Sequence, residues 1–200
     1  MELLEAIRTR RSTRKYTEQK LTKAQIETIV EAGRLAPSGG NSQTTHFLVI
    51  TSQKVMDELC QIAETEFAKM EVTEGMYRSM ANAIRSAKKG NWRFDYHAPL
   101  LVLTANQKTY GNRMVDVACA LENMMLAAND MDLGSCWVNQ IRWLCDFENE
   151  AMLNKLYELG MKESERVYGG MIAGYADSET GLPMRDPLPR TGNEVTWIEE

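Results

Sequence analysis

Apolar residues recur at helical spacing in two long stretches of the chain and gather into short unbroken runs in four others. Between Thr22 and Leu35, the positions Ile26, Ile29, Val30 and Leu35 fall on one helical face. Thr22 and Gln25 stand at capping-box spacing, and Leu21 and Ile26 are placed to close a hydrophobic staple. Ala36-Pro-Ser-Gly-Gly40 then breaks the helix. From Asn112 to Met131, Val117, Leu121, Met124, Met125 and Ala128 repeat at three and four residues, which predicts a central helix. Ala118, Ala120 and Ala127 are small enough to let it pack closely on a neighbour, and Gly134 is placed to cap its end. Polar-faced helices are predicted over about 53–70 and 73–89, with shorter ones over 2–8 and near 148–159. Phe47–Ile50, Pro99–Thr104, Cys136–Val138 and Val167–Tyr175 read as short buried strands.

Few strands among many helices indicate an α+β fold, a three-layer α/β/α arrangement with a mixed central sheet. Two hundred residues suit one domain, 1–200. Its last stretch, about 177–200, differs in composition. Pro183, Pro187 and Pro189 hold it extended, and it ends in Val195-Thr-Trp-Ile198, an apolar tip expected to dock. No internal repeat is present.

Charge narrows the function. The chain carries a formal charge of -5 and an isoelectric point near 5.3, which argues against a general nucleic-acid binder. No run is apolar enough to span a bilayer, and Glu2 and Glu5 stand where a secretion signal would be basic, so a cytoplasmic protein is expected. The four cysteines lack C-x-x-C spacing, and only two histidines are present, so no metal site is expected. Against this acidic background, Arg8, Arg10, Arg11, Arg14 and Lys15 fall within eight residues. Guanidiniums gathered in this way are best relieved by a shared anion, and Ser12 and Thr13 add hydroxyl donors, which points to a phosphate-bearing ligand. A solvated basic turn or a nucleic-acid arm is the plain alternative.

Two further motifs carry chemistry only in combination. In Ala36-Pro-Ser-Gly-Gly-Asn-Ser-Gln43 the glycines permit close backbone approach, while Ser38, Asn41 and Gln43 supply directional polar groups. It is not a P-loop, because no Gly-Lys-Ser/Thr follows. Leu133-Gly-Ser-Cys-Trp-Val-Asn-Gln140 follows the central helix. In order and spacing, the three motifs resemble the nitroreductase family of flavin mononucleotide (FMN) enzymes across essentially the whole chain. The family's R-x-R-R-S-x-R-x-[FY] element is matched from Arg8 to Tyr16, and A-P-S-x-x-N-x-Q from Ala36 to Gln43. G-L-G-x-x-W is matched at Asp132 to Trp137 with Asp for the first Gly, and G-Y with a P-x-R-type tail at Gly174-Tyr175 and Pro189-Arg190.

The resemblance implies that Arg10, Arg11, Ser12 and Arg14 hold the flavin phosphate and pyrimidine edge. Arg190 would complete the phosphate clamp, with Arg185 as its alternative. Pro37, Ser38, Gly39, Asn41 and Gln43 would approach the same flavin from the second subunit of a homodimer. Trp137, Val138, Asn139 and Gln140 would lie along its ring. The implied activity is hydride transfer from NAD(P)H through flavin N5 to a small aromatic acceptor, a nitroaromatic or quinone, by ping-pong kinetics and with no catalytic side chain required. Rival readings are specialised flavin chemistry on the same scaffold (dehalogenation or flavin fragmentation) and a non-enzymatic FMN-binding protein. Thr44-Thr45 replaces the family's usual Pro-Trp, and the segment about 66–93 matches no motif, so the acceptor and the preferred nicotinamide stay open.

Overall fold

The structure, a computed structural model, describes residues 1–186 and 188–199; Pro187, one of the prolines assigned to the terminal arm, lies outside the described residues. Helix α1 (Leu3–Thr9) leads into the Arg cluster, and α2 (Lys23–Arg34) follows it. The Thr22 capping box forms: Gln25 N–H donates to Thr22 Oγ1 at 3.2 Å and Thr22 N–H donates to Gln25 Oε1 at 2.9 Å. Leu35, expected on the buried face, is 73% exposed, because α2 stops at Arg34. Gly33 is buried instead, and a Cβ there would come within 2.8 Å of Met124 Cγ. Gly33 thus permits the close packing between α2 and the central helix; of the small residues expected to do so, Ala120 is buried while Ala118 is exposed.

Strand β1 (His46–Ile50), helices α3 (Gln53–Ala68) and α4 (Arg78–Lys89), strand β2 (Leu100–Gln107) and the central helix α5 (Arg113–Asp130) come next. Helix α4 starts five residues later than expected; Gly75 adopts φ 75° in the connection before it. The chain continues through β3 (Gly134–Val138), α6 (Gln140–Asp146), α7 (Glu150–Glu158) and β4 (Glu165–Gly174). Among the described residues no helix or strand follows β4.

The strands lie in the order β1-β2-β4-β3, and every ladder is antiparallel, where a mixed sheet was expected. The connections explain the sense. Pairs of helices, α3 with α4 and α6 with α7, link β1 to β2 and β3 to β4, so the chain re-enters the sheet from the end it left. Only α5 makes a single crossover, from β2 to β3, and β4 inserts between those two parallel strands. The one parallel pairing among the described residues is the bridge between Ser12 and Ser135.

Side chains alternate across the sheet with period two. Leu101, Leu103 and Ala105 of β2 pack with α3, α4, α6 and α7, while Leu100 and Val102 pack with α2 and α5. The result is the expected three layers. A strand buried on both faces must be apolar throughout, which is why β2 reads as a continuous run.

Gly134 does not cap α5. Asp132 takes the left-handed position at φ 60°, Leu133 N–H donates to Ala128 O at 2.9 Å, and Asp132 N–H donates to Asn129 O at 3.2 Å, a Schellman closure. Gly134 opens β3 instead, where a Cβ would come within 2.6 Å of the Thr13 side chain. The Asp132 carboxylate accepts from Arg185 Nη2 at 2.7 Å, and the same Arg nitrogen reaches Asn129 O at 2.8 Å, tying the terminal arm to the end of α5. Asp132→Ala should lower stability by about 1 kcal/mol, combining a poorer left-handed residue with a lost half-exposed ion pair. Asp132→Gly loses the pair but relieves the backbone, so it should be nearly neutral. Denaturant unfolding checks this; equal losses for Ala and Gly would show that backbone conformation is not what matters at 132.

Candidate functional site

Arg10 to Tyr16 crosses the end of β3 in extended form. Thr13 N–H donates to Ser135 O at 2.9 Å, and the Tyr16 hydroxyl donates to Thr13 O at 2.7 Å. Burial pushes the Tyr16 pKa upward, so this hydroxyl remains a donor. The segment is thereby fastened to the sheet, and its charged side chains are distributed rather than pooled. Arg11 is buried, and its guanidinium donates to Asp186 O (2.7 Å) and Arg10 O (2.6 Å), which binds the arm to the cluster. Arg10 lies 3.8 Å from Glu122, a loose pair. Arg14 has no ion-pair partner among the described residues and lines a cavity of about 520 Å³.

That cavity joins Ser12 and Arg14 to Cys136, Trp137, Val138, Asn139 and Gln140. Strand β3 and the start of α6 hold the second group. The Trp137 indole N–H donates to Asn139 Oδ1 at 2.8 Å, and Asn139 N–H donates to Gln140 Oε1 at 3.0 Å, which fixes the turn between strand and helix. Burial pushes the Cys136 thiol pKa upward, keeping it protonated and inert. The opposite wall is α4, which turns Ser79, Asn82, Ala83 and Ser86 toward the cavity, with Tyr77, Trp92, Tyr96 and Trp143 around them. Trp92 and Tyr96 belong to a loop anchored by Asp95. This fully buried carboxylate accepts from Arg93 Nε (2.9 Å), Arg93 Nη2 (2.7 Å) and His97 N–H (3.1 Å). Among the described residues the lining contains one cation, Arg14, and no carboxylate.

The Pro37–Gln43 loop does not share this cavity within one chain. Pro37, Ser38 and Gln43 line a separate cleft of about 140 Å³ beside Asp116, and Asn41 is exposed. Two non-glycine residues here, Asn41 (φ 54°) and Gln43 (φ 50°), adopt left-handed backbone conformations. A clamp holds them. Gly39 N–H donates to both oxygens of Asp116, at 3.1 and 3.3 Å. The Tyr110 hydroxyl donates to Asp116 Oδ2 at 2.9 Å and accepts from the Ser42 hydroxyl at 2.8 Å. Asp116 lies in the first turn of α5, where the helix dipole favours a carboxylate. Sequence reasoning missed Asp116 and Tyr110; no local signal announces a partner 77 residues away. It also missed the α4 wall, although Ser79, Asn82 and Ser86 recur at helical spacing.

Arg190 is exposed, with no ion-pair partner among the described residues, and Arg185 is occupied at the end of α5. No group of three or more His, Cys, Asp or Glu side chains able to hold a metal ion occurs among the described residues. No described helix is long and apolar enough to cross a membrane.

A nitroreductase from Bacteroides fragilis with bound FMN superposes over 100% of both chains with TM-score 0.85 and 31% sequence identity. An NADPH-flavin oxidoreductase of Vibrio harveyi is 27% identical over 98% of this chain and 75% of its own length. The FMN reductase (NADPH) of Bacillus subtilis is 26% identical over 97% of this chain and 74% of its own. The profile of the Nitroreductase family matches residues 7–175, and the chain belongs to that family.

Proposed function

We propose that this protein is an FMN-dependent oxidoreductase that takes reducing equivalents from NAD(P)H and passes them to a small aromatic acceptor. The observation that carries the reading is the 520 Å³ cavity in which Arg14, without an ion-pair partner among the described residues, and Ser12 face the Cys136–Gln140 strand end. Its volume falls in the range of cofactor clefts, and its donors suit a flavin's oxygen-rich edge and phosphate. The FMN-bound Bacteroides fragilis relative supports the same cofactor. FMN, when bound, supplies the redox chemistry.

The chain's own residues bind, orient and shield. Arg14 and Ser12 would hold the polar end of the cofactor, with Arg10 released from its 3.8 Å pair with Glu122 to join them. Trp137 to Gln140 would bear on the ring. Tyr77 and Trp143, whose rings meet edge to face at 6.1 Å, narrow the opening and limit water.

Two copies complete the site in this reading. Ser38 lies in another cleft of its own chain and Asn41 is exposed, so both would reach the cofactor held by the second copy. Exposed apolar residues fit a contact of this kind. Leu3 (67%) and Leu4 (65%) on α1 and Trp197 (80%) and Ile198 (95%) on the arm are open in the single chain. With donor and acceptor using one cavity in turn, initial rates at several fixed acceptor concentrations should give parallel double-reciprocal lines. Converging lines would mean that both substrates bind together and would contradict the shared cavity.

A further inference from the structure

Helix α4 carries Arg78, Arg85, Lys88 and Lys89 and no carboxylate, in a chain whose formal charge is -5. Its neighbour α3 has the opposite balance, with Asp57, Glu58, Glu64 and Glu66 against Lys54. Only Lys88 finds an acid, Glu71 at 2.6 Å; Arg78, Arg85 and Lys89 have no ion-pair partner among the described residues.

These three are not scattered. Together with Asn82 they occupy positions 78, 82, 85 and 89, four, three and four residues apart, and so form one stripe along the helix. Ala81, Ile84 and Ala87 bury the core face. Ser79, Asn82 and Ser86 face the cavity, so the cationic stripe adjoins the cavity face and shares Asn82 with it. Arg85 Nη1 donates to Asn82 Oδ1 at 3.3 Å, which rests that guanidinium on the rim. The stripe runs for ~16 Å at 1.5 Å per residue, comparable with an extended dinucleotide.

An ordinary solvated helix explains only part of this. A cation near the C-terminus, such as Lys89, is favoured by the helix dipole, but Arg78 stands at the first helical position, where the dipole disfavours it. Like charges along one face also repel. A multiply charged anion laid along the stripe satisfies both, and guanidinium forks suit phosphate.

We propose that Arg78, Arg85 and Lys89 read the phosphates of the electron donor, and that the 2′-phosphate present in NADPH and absent from NADH docks on this stripe. The inference rests on the nicotinamide reading above: with the nicotinamide in the cavity, the remainder of the dinucleotide leaves along α4. The stripe thereby sets the nicotinamide preference.

The test uses the FMN-loaded protein and two probes, adenosine 2′,5′-bisphosphate and 5′-AMP, titrated by calorimetry at low and physiological salt. The bisphosphate should bind at least about tenfold more tightly, as expected for one added charge-assisted contact, and the margin should shrink with salt. In Arg78→Ser/Arg85→Ser the margin should disappear, and the ratio of kcat/KM for NADPH to that for NADH should fall by about tenfold or more. Equal binding of the two probes, or a margin that survives in the double variant, overturns the proposal. An equal loss for both probes would move the stripe to a phosphate common to both nicotinamides and also overturn it. A retained margin in a protein that neither nicotinamide reduces would support the stripe and refute the oxidoreductase reading.

Discussion

Replacing Arg14 by Ala should weaken FMN binding by roughly 1.5–3 kcal/mol, the range for a hydrogen-bonding partner that carries charge. Arg14 is the one cation in the described lining of the cavity and has no competing acid among the described residues, so its donors are available to a ligand. Arg11→Ala should behave differently. Its guanidinium is buried and already donates to Asp186 O and Arg10 O, so its loss should destabilise the arm's attachment first and flavin binding second. Flavin-fluorescence titration with FMN and riboflavin separates the two. Loss of the phosphate should weaken riboflavin binding to the wild-type protein, and Arg14→Ala should narrow the gap between the ligands. An unchanged FMN affinity in Arg14→Ala would remove Arg14 from the site.

Ending the chain after Asp177 should cost more still. Asp177 N–H donates to Lys15 O at 3.1 Å, so this cut keeps the arm's root and the sheet intact. It removes the Asp186 contact to Arg11, the Arg185 pair with Asp132, and Arg190. It also removes Trp197 and Ile198, 80% and 95% exposed in a single chain, which are the groups with most to gain from a partner. Obligate interfaces commonly bury on the order of 2,000 Å² or more, and an arm of this kind would supply a large share. Light scattering and FMN titration on the truncated protein should show a monomer with much weaker flavin affinity. A truncated chain that remains dimeric and retains its flavin would show that the arm serves neither purpose.

What the sequence made legible was whatever local chemistry determines. The Thr22–Gln25 capping box and the Val117–Ala128 periodicity each mark an element through neighbours within one or two turns, and both elements formed. The run Leu100–Ala105 was legible as a strand because burial on both faces leaves no polar position to confuse the period. Helix α6 went unseen because Ile141, Trp143, Leu144 and Cys145 are all buried, no side chain caps its start, and seven residues give too little periodicity. The end of α5 falls within one residue of the expected Met131, but its cap is not Gly134, because Asp132, not a glycine, takes the left-handed position. The three motifs were visible as residues, but their grouping was not. Ser12 and Arg14 meet Trp137–Gln140 in one cavity, while the Pro37–Gln43 loop is held apart by Asp116, a contact that sequence distance hides.

The central claim, that this chain uses FMN to oxidise a reduced nicotinamide, is tested most directly by anaerobic titration of the FMN-loaded protein with NADPH while the visible flavin absorbance is followed. The expected result is bleaching with about one equivalent of nicotinamide per bound flavin, reversed when a quinone or nitroaromatic is added. A flavin absorbance that stays unchanged under excess NADPH and NADH would contradict it.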